Sequence, residues 1–310
     1  VKFGQAFQAD MIWCTLETQA LIRLAIPVAQ GLGVPLLTEV FDPPTWELRD
    51  ASAHRLSQKM MLEELAKAIR YSRMCATASW PMAEQYAHDY GTSVVAFLPS
   101  LPSRSAMPPS QEMNNGQELV IGLAGGRVYA IAEWRALTAA LDAVDWQIGR
   151  RTVRIRVLAK HRPPLINNRS GCIEYLGWQT QESAVKLLSE ADILYCPYWF
   201  DPVFEEEARL SFPSKLTTYL AAGRPVFFHG PEYAAPAIFL KDNEAGFLCH
   251  SNETSHIIDA LTALATDTSL YSRLTQNGRT AFEKYLTLSS LRQSFATFLG
   301  VEEDSFVPAE

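Results

Sequence analysis

No run of about 18 consecutive apolar residues occurs in the chain, which excludes a membrane-spanning helix. The first residues lack the charged-then-apolar pattern of a signal peptide. Five cysteines (Cys14, Cys75, Cys172, Cys196 and Cys249) include no Cys-x-x-Cys pair, so a reduced, cytoplasmic setting is expected. Basic residues are in deficit, 27 Lys and Arg against 34 Asp and Glu, for a net charge of −7. That balance argues against a nucleic-acid partner, which calls for a basic face. The one basic cluster, Arg150-Arg151-Thr-Val-Arg154-Ile-Arg156, alternates as one face of an exposed strand or a helix-to-strand connection would. It reads as solvated surface, and peripheral membrane contact stays open without support. None of the six histidines belongs to a metal-type cluster, and no repeat of solenoid period is present.

What is there is enough apolar sequence for a large core. With 310 residues, 48% hydrophobic and 20% charged, the chain can bury one large core or two medium ones, and two domains are expected. Short apolar runs alternate with amphipathic stretches in α/β fashion. Strands are expected at 10–14, 34–41, 74–78 and 93–98, with helices at 18–31, 57–72 and 81–90 between them. A Pro-, Ser- and Asn-rich stretch over 99–117 is the one composition break of linker type. Beyond it strands are expected at 119–123, 153–158, 173–176, 193–196, 226–229 and 246–249. Helices are expected at 131–144, 182–190, 233–241, 255–266 and 269–285. Such alternation implies doubly wound parallel sheets with ligands at the carboxyl ends of the strands.

The most informative segment is Ser211-Phe-Pro-Ser-Lys-Leu-Thr-Thr-Tyr-Leu-Ala-Ala-Gly-Arg-Pro-Val226. Pro213 fits a helix entry, Ser214 offers a hydroxyl and an amide there, and Leu216, Tyr219 and Leu220 share one face. Gly223 stops the helix before the buried strand that starts at Val226. The amides of the first turn, with the positive end of the helix dipole, suit a diphosphate, and Lys215 adds a full charge. A second glycine turn, Gly122-Leu-Ala-Gly125-Gly126-Arg127, follows a strand and precedes a helix. It reads as amides approaching a pyrophosphate with Arg127 neutralising it, or as a plain tight turn with a surface arginine.

At these residues the chain resembles the family 4 glycosyltransferases of the GT-B fold, whose members often carry Pro-Ser/Asn-Lys-Leu-x-Glu-Tyr-Leu-Ala-Ala-Gly-Lys/Arg-Pro-Val. Ile121-Gly-Leu-Ala-Gly-Gly-Arg127, Ile173-Glu-Tyr-Leu-Gly-Trp178 and Ala191-Asp-Ile-Leu-Tyr-Cys-Pro197 fall in that family's order, and the resemblance extends over about residues 10–300. It implies an α/β fold of two Rossmann-like GT-B domains, the first apparently truncated. The expected division is an acceptor-side domain over 1–105, a linker over 106–117, a nucleotide-sugar domain over 118–286, and a C-terminal helix and tail over 287–310 that crosses back to the first domain. It implies a retaining transferase that moves a sugar from a nucleoside diphosphate-sugar to a saccharide or other acceptor in polysaccharide or glycoconjugate assembly. The diphosphate oxygen would help to take the acceptor proton. No cofactor is called for beyond the donor substrate. No Asp-x-Asp of the metal-dependent enzymes is present, so amides, Arg127 and Lys215 would stabilise the leaving diphosphate without a metal.

The resemblance places donor contacts at Gly125, Gly126, Arg127, Gln179, Pro213, Ser214, Lys215 and Thr218, with Arg127, Lys215 and Asp42 in catalysis. The backbone at Gln179 would meet the nucleobase, while Trp178 is either a second base contact or ordinary core. Lys160 and Arg162 read as solvated loop charges with a reserve role toward phosphate. Asp42, at a strand end before Pro43-Pro44, either orients or deprotonates an acceptor hydroxyl or caps the turn. The aromatic loop from Tyr195 to Phe204 either walls a sugar or base pocket or caps the sheet edge. His229 is expected at a strand end lining the donor pocket. Many family members hold a pair of glutamates at the positions of Leu210 and Thr218, so both carboxylates are missing here. Glu205-Glu206-Glu207 could substitute, although three consecutive acids read first as solvated surface. The loss keeps a noncatalytic nucleotide-sugar-binding subunit in play as an alternative. A nucleotide-sugar epimerase is the third reading, weakened by the lack of a set of acids and histidines.

Overall fold

The computed structural model describes residues 1–44, 55–114, 116–125, 130–163 and 170–302. They form two compact α/β units. The first comprises Val1–Leu98, Arg209–Phe212 and the chain from Ser289 onward. Its parallel sheet has four strands in the order β1 (Ile12–Thr15), β2 (Leu36–Val40), β3 (Met74–Thr77) and β4 (Val94–Ala96). Before β1 lies the short helix α1 (Lys2–Ala6), and α2 (Gln19–Leu32), α3 (Arg55–Tyr71) and α4 (Trp80–Tyr90) make the crossovers. Helix α2 starts where Thr18 Oγ1 accepts Leu21 N–H at 3.3 Å and ends at Gly33, φ +68°.

Side-chain alternation divides this sheet's two faces. Leu36 and Val40 join Ile22, Ala25 and Ala29 of α2 and Leu65, Ala68 and Ile69 of α3 in one apolar cluster. Leu37 points the other way, toward Ala76, Phe97 and Phe298. That second face is covered by the C-terminal helix α12 (Leu288–Leu299), whose Phe295 and Phe298 lie 5.1–5.7 Å from the rings of Trp13 and Phe97. Ring pairs of this kind contribute about 1 kcal/mol each beyond the area they bury.

The second unit comprises Pro99–Ala208 and Pro213–Leu288. Its sheet has the order β11-β10-β9-β5-β7-β6, with β8 on β7. In chain order these are β5 (Glu118–Gly125), β6 (Gln147–Ile148), β7 (Arg151–Ala159), β8 (Ile173–Tyr175), β9 (Ile193–Pro197), β10 (Val226–His229) and β11 (Gly246–Cys249). Every pairing is parallel except β6 with β7. The helices are α5 (Ile131–Ala143), α6 (Gln181–Ser189), α7 (Glu205–Leu210, whose last two residues belong to the first unit), α8 (Ser214–Ala222), α9 (Ala235–Asp242), α10 (Thr254–Thr266) and α11 (Thr268–Tyr285). The arginine cluster lies on β7 as alternation requires. Val153, Ile155 and Val157 are buried, Arg154 meets Glu118 at 2.5 Å, and Arg156 bridges Glu174 and Glu190 at 2.8 and 3.2 Å.

The Pro- and Ser-rich stretch after Leu98 runs along this second unit. Met107 N–H donates to Ala221 O at 2.7 Å and Ser110 N–H to Gly223 O at 3.0 Å. Thr217 Oγ1 donates to Pro99 O, and Thr275 Oγ1 to Ser110 O, each at 2.7 Å. Prolines give the stretch a linker composition, yet backbone groups of Pro99, Met107 and Ser110 are used by α8, α11 and the turn after α8. Asp192, fully buried, closes the strap by accepting Asn114 N–H at 2.9 Å and Val120 N–H at 2.8 Å.

Candidate functional site

Strand β5 lies between β7 and β9, so the chain leaves it in one direction for β7 and β8 and returns on its other side for β9 and β10. Reversals of this kind open a crevice beyond the carboxyl ends of the strands, where α/β sheets take their ligands. A cavity of about 230 Å³ lies there. It is bounded by Ala124 and Gly125 at the end of β5, Leu158 near the end of β7, Trp178 and Gln179 after β8, and Gln181 and Ala184 on α6. Ser214, Lys215 and Thr218 of α8 complete its wall.

Helix α8 presents its start to this cavity. Pro213 is the N-cap residue and no side chain caps the turn, so the amides of Ser214 and Lys215 begin the helix without a side-chain acceptor. Tyr219 fixes the helix in place. Its hydroxyl accepts Ala124 N–H at 2.8 Å and lies 3.1 Å from Tyr195 O, which ties α8 to β5 and β9. Gly223 ends the helix at φ +68°, and a Cβ there would stand 2.6 Å from Pro108 O. Only glycine meets both conditions.

Lys215 is the cation of the cavity. Burial of its ammonium pushes its pKa below the ordinary lysine value, and the neighbouring Cys196 acts in the opposite sense. Among the described residues no hydrogen bond or ion pair involves its Nζ. An ammonium held in protein without a counter-charge is costly, and an arriving anion removes the cost. The uncapped amides of α8 point the same way, since a helix N-terminus favours negative charge.

The expected site residues fall into three groups. Gly125, Gln179, Ser214, Lys215 and Thr218 meet at the one cavity, with Pro213 at the head of α8. Gly126 and Arg127 lie outside the described residues. Asp42 belongs to the other unit, just past β2, where it lines a separate pocket of about 190 Å³ with Glu17, Leu16, Val40, Phe41 and Met61. Glu39, two strand positions before Phe41, is buried and hydrogen-bonded to Trp13 Nε1 at 3.0 Å. Burial raises its pKa, opposed by the hydrogen bonds from Trp13 and Thr15.

Several expectations need correction. His229 is wholly buried and is not among the residues lining the cavity. Its Nε2 lies 2.9 Å from Ser251 O and its Nδ1 2.9 Å from the Tyr195 hydroxyl, which makes it a neutral ring donating to one and accepting from the other. Burial lowers its pKa to about 4. The aromatic loop neither lines the cavity nor caps a sheet edge, because β9 is an interior strand. Trp199 and Phe204 stack on each other at 5.3 Å, and Phe200 N–H donates to Glu133 Oε1 at 2.9 Å. The three-acid run is not uniformly solvated either. Helix α7 exposes Glu205 and turns Glu207 inward, and none of the three lines the cavity. Trp178 is 68% exposed, which settles it as surface rather than core. Arg162 sits over the ring of Tyr175 at 4.8 Å, and neither it nor Lys160 lines the cavity.

Sequence reasoning missed Gln181 and Glu133. Gln181 opens α6 and donates from Nε2 to Thr218 Oγ1 at 2.7 Å inside the cavity wall. Its signal was available, since it follows the cap residue Thr180 one short turn after Leu176-Gly177-Trp178. Glu133, in the first turn of α5, is 2% exposed, and its pKa is raised by burial against the hydrogen bond from Phe200. Nothing in its sequence context marks it as buried.

No family model and no curated protein matches the chain. Solved structures do. Sucrose-phosphate synthase from Thermosynechococcus elongatus superposes with a TM-score of 0.70 at 12% identity, over 96% of this chain and 75% of that one. HepE from Anabaena, solved with UDP, superposes with a TM-score of 0.68 at 13% identity, over 96% and 81%. An α,α-trehalose 6-phosphate synthase from Burkholderia multivorans gives 0.67 at 14% identity, over 100% and 75%. Likeness at this level of identity establishes the architecture: the chain has the GT-B fold of two Rossmann-like α/β domains.

Proposed function

We propose that the chain is a glycosyltransferase that takes a nucleoside diphosphate-sugar in the cavity at the start of α8 and passes its sugar to a saccharide or other acceptor. The observation that carries this is Lys215, whose Nζ has no hydrogen-bond or ion-pair partner among the described residues, set in the cavity wall beside the uncapped helix start. Neighbours of the same fold include sucrose-phosphate and trehalose-phosphate synthases and a protein solved with UDP and glucose, which is the ligand class this cavity's chemistry fits. The diphosphate would rest on the Ser214 and Lys215 amides, and the base would lie toward Gln179 and the exposed face of Trp178. Gln179 turns its own side chain back onto Leu176 O at 2.7 Å, which leaves its backbone to meet the base.

In the proposed reaction the bond between the anomeric carbon and the diphosphate oxygen breaks, with the electron pair leaving on the diphosphate. The acceptor oxygen bonds the same face of that carbon, so configuration is retained, and the acceptor proton passes to the departing diphosphate oxygen. Lys215 and the α8 amides stabilise the charge that develops there. They do so without a metal ion in this reading, with Arg127 as a second cation. Asp42, in its own pocket, is the group proposed to orient the acceptor hydroxyl. Assembly of a polysaccharide or glycoconjugate in the cytoplasm is the setting this reading favours.

One observation supports a second reading, a noncatalytic nucleotide-sugar-binding subunit: among the described residues the cavity wall holds no carboxylate. Calorimetry of UDP, GDP and ADP in metal-free buffer tests the site in both readings. Binding of one nucleotide that Lys215→Ala weakens tenfold or more is expected, and failure of all three to bind refutes the donor site. Donor hydrolysis or transfer that Lys215→Ala abolishes separates the enzyme from the subunit.

A further inference from the structure

One buried carboxylate of the first unit has no part in the chemistry described so far. Glu39 is the next-to-last residue of β2 and Thr15 the last of β1, and the two stand opposite each other in the parallel register. They therefore lie at the carboxyl end of the sheet, where α/β folds receive ligands. Trp13, two residues before Thr15, projects to the same face, and the rings of Phe295 and Phe298 on α12 lie 5.3 and 5.7 Å from it.

Both hydrogen bonds to Glu39 fall on one oxygen. Trp13 Nε1 donates to Oε2 at 3.0 Å and Thr15 Oγ1 donates to the same atom at 3.4 Å. Oε1 takes none among the described residues, and it is not sealed from solvent. The one charge that acts on this carboxylate is the like charge of Glu17. A carboxylate that is 4% exposed and half satisfied is costly, and a hydroxyl arriving from outside would offset that cost.

Trp13 supplies the other half of the arrangement. It sits on an edge strand and stays 47% exposed, although its N–H is held by Glu39 and three aromatic rings pack against it. An indole fixed in this way is a platform for the apolar C–H face of a sugar ring. The carboxylate beside it accepts ring hydroxyls through charge-assisted bonds, while the negative field of Glu39 and Glu17 disfavours an anionic ring.

We propose that Trp13 and Glu39 form a saccharide subsite on the first unit, which takes an uncharged hexopyranose with its C–H face on the indole and a hydroxyl donating to Glu39 Oε1. Neither residue lines the Asp42 pocket or the cavity at α8. Naming a saccharide rests on the reading of the chain as a glycosyltransferase with a sugar acceptor. The subsite itself does not depend on the donor cavity, and the two are separable by experiment.

The test is a saturation-transfer NMR titration of the full chain with the methyl glycosides of glucose, galactose and mannose. At least one is expected to bind in the millimolar range, with the same Kd in Lys215→Ala, which locates it away from the donor cavity. Glu39→Gln keeps an acceptor for Trp13 but removes the charge, and is expected to weaken binding about fivefold or more, with Trp13→Leu costing about tenfold. Should Glu39→Gln lose its cooperative melting transition, Trp13→Phe takes its place, with an expected loss of about threefold. Glucose 6-phosphate is expected to bind Lys215→Ala about threefold or more weakly than the glucose glycoside does, a gap that Glu39→Gln narrows. Binding of no glycoside, binding that vanishes in Lys215→Ala, or binding unchanged by the Glu39 and Trp13 variants overturns the subsite. The donor reading is decided separately, by nucleotide calorimetry.

Discussion

Titrating nucleoside diphosphate binding against pH isolates Lys215 from the other contacts. In the free protein burial holds this lysine's pKa below its ordinary value of 10.5. A bound diphosphate supplies a counter-charge and raises the pKa again. Between the free and bound values each binding event therefore takes up one proton, and log Kd climbs by about one per pH unit. Below the free-state value Lys215 contributes no slope. The terminal phosphate ionises near pH 6, so above pH 7 it adds little. Calorimetry in two buffers of different ionisation enthalpy counts the protons directly. Lys215→Ala should lose the lysine's share of the slope and about 1.5–3 kcal/mol of binding, roughly 10- to 150-fold in Kd. Lys215→Arg keeps a charge that does not titrate, so it should retain part of the affinity with that slope removed. Comparing variants cancels any titration that belongs to the base. A wild-type profile that superposes on that of Lys215→Ala in both slope and level would refute the assignment. The free protein supplies a check of opposite sign. Its unfolded state binds the lysine proton more tightly, so stability should rise with pH through the window below 10.5, and saturating nucleotide should flatten that rise.

Three further outcomes follow from individual contacts. His229 has a folded pKa of about 4 against 6.5 unfolded, so the stability it contributes above pH 6.5 is lost as pH falls toward 4. The loss is about 2–3 kcal/mol by pH 4.5, and urea titrations at pH 7 and 4.5 should show His229→Gln without it. Gly223→Ala should destabilise by about 2 kcal/mol or more, from the left-handed backbone and the displaced Pro108 carbonyl, read as a lowered thermal midpoint. Asp192→Ala strips the acceptor from two backbone N–H groups and should cost about 2–5 kcal/mol in chemical denaturation, with Asp192→Asn retaining part of the loss.

The elements that build the site were legible because their signals are local. Alternation on β7, the proline-to-glycine bracket around α8, and the glycine at the end of β5 each lie within one element or at its ends. Unread elements were those too short to repeat a pattern: α1 has five residues, β6 two and α7 six. Residue environments that depend on another part of the chain were misjudged. Glu207 is inward because α7 turns it so, and His229 is neutral because burial disfavours its charge, with Tyr195 and Ser251 meeting its two ring nitrogens. For the strap from Pro99 to Asn114, composition records the missing donors but not the partners that α8 and α11 supply. Gln181 escaped notice for the same reason, since its partner Thr218 lies 37 residues away.

Helix α8 shows how the fold separates what is fixed from what is left open. Its buried side carries Tyr219 bonded to β5 and β9, its middle carries Thr217 bonded to Pro99, and its last carbonyls accept the strap at Ala221 and Gly223. Thr218 is engaged by Gln181. Against that background the exceptions are the uncapped first turn and the Lys215 ammonium, which has no partner among the described residues, and they adjoin the same cavity. A fold that supplies partners to the rest of a nine-residue helix could cap its start with one acidic side chain, yet it leaves a cation there instead. Proteins accept such local cost where a ligand recovers it. The rigid remainder of α8 keeps the amides and the ammonium aimed before any ligand arrives, so an anion meets a site that needs little reorganisation.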